Sequence, residues 1–181
     1  IGCTDIDADN YDQDAIFDSG CEYSAMVSID ESSTVTDSVS INASTASGDV
    51  ELNISAGTEL LIDNESITEE FEITVSDYDE VENMQEIPTD FASVSDIIAF
   101  EPFGLTFSVP VPIAIPFNIN QNSRNDYELL YLDNPNDEDW ELVSGSSCID
   151  GVCSADITSF GLYNVVATAG AEYVLGCMDQ N

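Results

Sequence analysis

Lysine and histidine are absent from this sequence, and Arg124 is its only basic side chain. Without lysine there is no Lys–Asn isopeptide staple and no covalent anchoring through an ε-amine. Without histidine the usual general base and the commonest transition-metal ligand are missing. Ser-His-Asp and Cys-His catalysis are therefore excluded within the chain. Against that single Arg stand 37 acidic residues, for a formal net charge of -36. Self-repulsion on this scale opposes compaction unless cations screen or bind it. It also disfavours nucleic acid and anionic membranes as partners. The acidity fits either a chain adapted to salty or calcium-rich water or one that binds ions at defined sites, and the two are compatible.

Long apolar runs are missing too, so no membrane insertion is expected. No signal peptide and no initiator Met are visible, which suggests a mature protein or a segment of something longer. With 181 residues and 43% hydrophobic content, there is material for one main core and a small appendage.

Five cysteines occupy positions 3, 21, 148, 153 and 177, with no Cys-x-x-Cys. They read as two disulfides and one orphan in an oxidising compartment, hence a secreted or cell-surface protein. Asn42, Asn53 and Asn64 head Asn-x-Ser sequons and are candidate glycosylation acceptors.

The first stretch, GCTDIDADNYDQDAIFDSGCEY, is dense in acid and too poor in apolar residues to build a core. It needs a staple, and Cys3–Cys21 supplies one. Asp5, Asp7, Asp9, Asp12, Asp14 and Asp18 offer closely spaced hard oxygen ligands of the kind Ca2+ prefers. The spacing is not that of an EF-hand, because the central Gly and the Glu at the twelfth position are missing. A solvated acidic loop is the competing reading.

Gly2, Cys3, Thr4, Asp5, Ala8, Asn10, Tyr11, Ala15, Asp18, Gly20 and Cys21 resemble a cysteine-framed repeat of large secreted bacterial proteins, GCTDPxAxNYxxxAxxDDGSC. Ile6 replaces the Pro, and the ending is shortened to Gly20-Cys21. The resemblance implies a spacer or surface module and no activity. The chain closes on LGCMDQN, which looks like the start of a second such cassette. From Gly2 to Gly176 the period is 176 − 2 = 174 residues. Cys177 would then find its partner beyond Asn181 or on another chain.

From Tyr23 onward the pattern is that of short strands. ITEEFEITVSDY alternates through Phe71, Ile73 and Val75, and turn residues separate DVELNISAG, TELLIDN, DIIAFEP, YELLYLDN, WELVSG and FGLYNVVATA. VENMQEIPTDFASVS reads as a loop. The expected fold is all-β, an antiparallel β-sandwich with a small disulfide-stapled acidic N-terminal cassette. The expected divisions are a cassette over 1–23, a linker over 24–33, the sandwich over 34–170 and a connector over 171–181.

FSVPVPIAIPFN is the most informative strand. Phe107, Val109, Val111, Ile113, Ile115 and Phe117 fall on one face. Pro110, Pro112 and Pro116 delete donors along a single edge. A strand at the sheet border, or one with a local break, follows. In SSCIDGVCSA, Asp150-Gly151 predicts a two-residue type I′ turn with Ile149 opposite Val152 and Cys148 opposite Cys153. A Cys148–Cys153 disulfide follows.

IIAFEPFGLTFSVPVPIAIPFN, with Pro102, Gly104, Phe107, Pro110 and Pro116, resembles the core motif of the ZU-five domain, and the likeness spans residues 34–168. It implies a non-catalytic interaction or structural module.

Nothing selects two carboxylates out of 37 for acid/base work, so no enzyme is expected. The leading expectation is a structural unit of an extracellular filament or long surface protein, joined head to tail to copies of itself at calcium-stabilised joints. The alternative is a calcium-dependent adhesin binding a glycan or a protein. Its candidate loops are 79–95 and 119–126, the latter holding Arg124, with Tyr127, Tyr131 and Trp140 as available aromatics. For Arg124 a local ion pair with Asp126 is the simpler reading, and the aromatics fit core strands equally well.

Overall fold

The computed structural model describes residues 2–16, 20–78, 84–119, 126–137 and 139–168. Two antiparallel sheets pack face to face. The first runs β1 (Glu22–Val27), β6 (Phe71–Asp77), β8 (Ile98–Glu101), β14 (Leu162–Thr168), β10 (Tyr127–Leu132), β11 (Glu141–Leu142), with β7 (Phe91–Ser93) added to the far half of β14. The second runs β12 (Ser147–Ile149), β13 (Val152–Ser159), β9 (Leu105–Pro116), β3 (Gly48–Ile54), β2 (Val39–Thr45). Two short strands, β4 (Leu60–Ile62) and β5 (Glu65–Ser66), complete it through β4 on β9.

The alternation in sequence becomes the two sides of each strand. In β3, Val50, Leu52 and Ile54 are buried while Asp49, Glu51 and Asn53 are exposed; Ile41 and Ala43 of β2 and Ile73 and Val75 of β6 follow suit. These inward rows meet an aromatic centre. Phe100 packs edge-on to Tyr163 at 5.4 Å, and Phe107 edge-on to Phe160 at 5.1 Å. Perpendicular arrangements of this kind set the positive ring edge against the negative face.

The proline strand lies inside the sheet. β9 has β13 on one side and β3 and β4 on the other. Of the two expectations, the border position is corrected and the local break is what forms. Phe117 N–H donates across to Gly151 O, so odd-numbered residues of β9 bond toward β13; Ser108 N–H donates to Glu59 O, so even-numbered residues face the other edge. Pro110, Pro112 and Pro116 therefore all point at the β3/β4 edge, where they offer no donor. There β3 meets β9 only at Glu51↔Ala114 and Leu52↔Ile113, and β4 takes over at 105–107. Val109, expected on the inner face, is 55% exposed. The pairing with β13 slips there, from Ile157↔Val111 to Ser159↔Thr106, and the extra β9 residues bulge outward.

The hairpin β12–β13 forms as the sequence predicts. Asp150 and Gly151 both take positive φ, 52° and 85°, as a type I′ turn requires. Ile149 pairs with Val152, and Cys148 lies opposite Cys153, disulfide-bonded, with Cα atoms 3.9 Å apart.

Two further features depart from the sequence reading. Residues 24–27, expected as linker, belong to β1, whose inward residues Tyr23 and Val27 are buried. The segment 84–97 is a strap across the outer face of the first sheet, where the sequence reading has a loop over 81–95. Met84, Ile87, Phe91 and Ile97 cover Ala99, Leu130, Leu132, Trp140, Leu162 and Val166, forming a second apolar layer. Trp140 donates its indole N–H to Gln85 O at 3.0 Å, pinning the strap. Asn164, wholly buried, fills the gap in β14 between its partners β8 and β7. Its amide donates to Ser95 O and to Asp96 O, both at 3.2 Å.

Candidate functional site

The cassette carries the densest chemistry in the sequence, and the structure shows what holds it. Cys3 and Cys21 are disulfide-bonded, with S–S 2.08 Å and Cα atoms 4.7 Å apart. Both cysteines and Ala8 are buried and continuous with the main core. The cassette is thus packed onto the sandwich.

Its seam follows the outer edge of β1. Asp9 N–H donates to Glu22 O at 2.9 Å, Glu22 N–H donates to Asn10 Oδ1 at 3.1 Å, and Ser24 N–H donates to Asp9 Oδ2 at 2.6 Å. Asn10 Nδ2 donates to Gly20 O at 2.6 Å. Two side chains and one backbone amide thereby stand in for a neighbouring strand, satisfying backbone groups that an edge otherwise leaves to solvent or to another chain.

The second contact is made by Tyr23, whose hydroxyl donates to Asp5 Oδ2 at 2.6 Å and lies 3.3 Å from Ser44 O of β2. The tyrosine hydroxyl, followed by the backbone N–H of Asp7, holds the Asp5 carboxyl below its ordinary value. Burial, followed by the bond to Asp5, raises the Tyr23 hydroxyl above its own. A neutral donor facing an ionised acceptor makes this a charge-assisted bond.

Of the six candidate calcium ligands, Asp5, Asp9 and Asp12 spend oxygens within the fold, Asp12 Oδ1 accepting from Asp14 N–H at 2.9 Å. Asp7 is exposed, and Asp18 lies outside the described residues. Among the described residues no three acidic or cysteine side chains converge as a metal group. Asp5, Asp7, Asp9, Asp12 and Asp14 share the cassette without closing on one point.

Hollows among the described residues lie elsewhere, and two of them are lined in part by polar side chains. One, of about 300 Å3, is lined by Tyr131, Asp133, Asp137, Asp139 and Glu141 in the turn between β10 and β11. Burial, then its 2.6 Å bond to Asp133, raises the Tyr131 hydroxyl. The other, of about 380 Å3, is a trough on the outer face of the second sheet. Small residues, Ala114, Ser147 and Ser154, make its floor, and Glu51, Asn53 and Asp156 stand around it.

The sequons Asn42 and Asn53 are exposed on that same outer face, and Asn64 is exposed in the β4–β5 turn at φ 66°. Of the aromatics considered for a ligand, Trp140 is buried, while Tyr127 and Tyr131 are only partly buried and Tyr131 also lines the first hollow. Trp140 lies under the strap, Tyr127 packs on Phe117 at 4.6 Å and Tyr131 on Tyr163 at 5.0 Å. Arg124 and Cys177 lie outside the described residues, as do 79–83 and 120–125 of the candidate loops; much of the rest of 79–95 belongs to the strap.

Sequence reasoning passed over Tyr23 and Asn10 as bonding residues. The available signal was a tyrosine two residues beyond the stapling cysteine, at the head of an alternating Tyr23, Ala25, Val27 pattern.

In comparisons with known proteins, no family model matches the chain and no curated protein is significantly similar to it.

Proposed function

We propose that the chain is a non-enzymatic structural unit of an extracellular filament or long cell-surface protein, joined head to tail to further copies of itself. The observation that carries this reading is the 174-residue echo between Gly2-Cys3-x-Asp5 and Gly176-Cys177-x-Asp179, with Cys177 left over from the two disulfide pairs. Two stapled disulfides suit an oxidising exterior, and among the described residues no helix is long and apolar enough to cross a membrane. Calcium at the cassette carboxylates would screen a net charge of -36 where units meet.

Electron microscopy of native material, with and without a calcium chelator, tests this. Linear arrays with one sandwich per repeat are expected, loosening on chelation. Isolated monomers indifferent to chelator would sink both the array and the calcium joint. The second reading, a calcium-dependent adhesin for a glycan, draws on the polar trough bounded by Glu51, Asn53 and Asp156. A glycan array would decide it.

A further inference from the structure

The sheet edges are treated unequally. That of β1 is sealed by the cassette, and β12 is three residues long and stapled by Cys148–Cys153. β2 is different. Its seven residues, VSINAST, contain no charge and no proline, although natural edges are commonly guarded by one or the other.

Its exposed backbone can be identified. Thr45 and Gly48 close a two-residue loop, so Thr45, Ala43, Ile41 and Val39 exchange bonds with β3. The backbone of Ser40, Asn42 and Ser44 then faces outward, and the approach of Tyr23 to Ser44 O confirms that side. Among the described residues, nothing bonds to the outward N–H groups of Ser40 and Asn42.

We propose that this edge receives a strand from the preceding unit, formed by residues 170–174. The inference rests on the repeat reading. In that reading Leu175 takes the place of Ile1, since 175 − 1 = 174. The incoming chain therefore reaches the cassette four residues before Asp5. Asp5 is bonded to Tyr23, and Tyr23 to the end of β2 at Ser44. At about 3.3 Å per extended residue, the segment ahead of the cassette is long enough to lie along Ser40–Ser44. Ala171-Glu172-Tyr173-Val174 includes strand-forming residues and a single charge. Backbone bonds would supply the affinity, as in other cases of strand addition. The absence of charge on β2 matters because like charges facing each other there would oppose the contact.

The test is amide hydrogen exchange by NMR at Ser40 and Asn42. It compares the full chain at high dilution with a tandem in which residue 175 of one copy continues into residue 2 of the next. In the tandem, these two amides of the second copy are expected to exchange at least about tenfold more slowly than those of the first. Val174→Pro in the first copy, a change outside the described sandwich, is expected to abolish the difference. Equal rates in both copies would overturn the proposal. Slow exchange already present in the dilute single chain would overturn it in favour of the chain's own tail. Native polypeptide of single-unit mass, with no disulfide from Cys177 to a neighbour, would overturn the repeat reading and with it the natural occupant. A native repeat whose tandem shows no protection would remove the strand addition alone.

Discussion

The Tyr23 hydroxyl sits 2.6 Å from Asp5 Oδ2, binding the first strand of the sandwich to the acidic cassette in front of it. The bond has a direction in pH. Asp5 is held below its ordinary value in the fold, so the unfolded chain takes up its proton first as pH falls. The stabilisation is complete above the unfolded value of about 3.9 and fades as pH drops through the folded value. Tyr23→Phe and Asp5→Asn should each lower Tm at neutral pH and flatten its acid dependence. An acid limb unchanged in both variants would show that this bond contributes nothing.

The two disulfides should differ in worth. Cys3–Cys21 closes a separation of 18 residues and Cys148–Cys153 one of 5. Loop-closure entropy gives roughly 3 and roughly 2 kcal/mol respectively. Replacing Cys3 and Cys21 together by Ser should therefore cost more in urea unfolding than replacing Cys148 and Cys153. It should also release the seam on β1, seen as faster amide exchange at Glu22 and Ser24. A cassette that stays protected after loss of its staple would contradict this account.

Asn164 makes a sharper demand. Its amide is a donor to two carbonyls, Ser95 O and Asp96 O, at a fully buried position. Asn164→Ala removes that donor while Ser93 Oγ and Ser95 Oγ still donate to Ser95 O and Asp96 O at 2.9 and 2.7 Å, so about 1 kcal/mol should be lost. The urea midpoint reads the loss directly, and a shift below about 0.5 kcal/mol would mean that the serine hydroxyls hold the strap without it.

The proline strand offers a paired contrast. Ala114 bears the donor where β3 meets β9, between positions that Pro112 and Pro116 have silenced. Ala114→Pro should cost about 2 kcal/mol or more. Pro112→Ala, where no bond is present to lose, should cost about 1 kcal/mol or less through the looser unfolded chain. Similar costs for the two would refute the edge assignment.

What could be read in the sequence was local. The Asp150-Gly151 turn and the facing cysteines follow from two-residue hairpin geometry, and the proline side of β9 follows from the period of two. Alternation singled out Phe71, Ile73 and Val75, of which Ile73 and Val75 are buried and Phe71 is half-buried. Long-range relationships escaped. The strap's Met84, Ile87 and Phe91 have no strand period, because they cover a sheet face one by one. β1 was hidden in acidic surroundings, its edge satisfied by Asp9 and Asn10 from across the cassette. The carboxylates were legible as a group but not as individuals, since spacing does not say which oxygens the fold itself consumes.

The strap also gives the molecule two unlike flanks. One broad side is already dry, closed by Trp140 and Phe91 against Leu162 and Val166. The other remains wet and open, displaying Asn42, Asn53, Glu51 and Asp156. Sugar attached at Asn42 or Asn53 would therefore coat one flank only. In an array, the units would have a painted side and a bare side, so their rotational setting about the array axis would decide which one the surroundings meet.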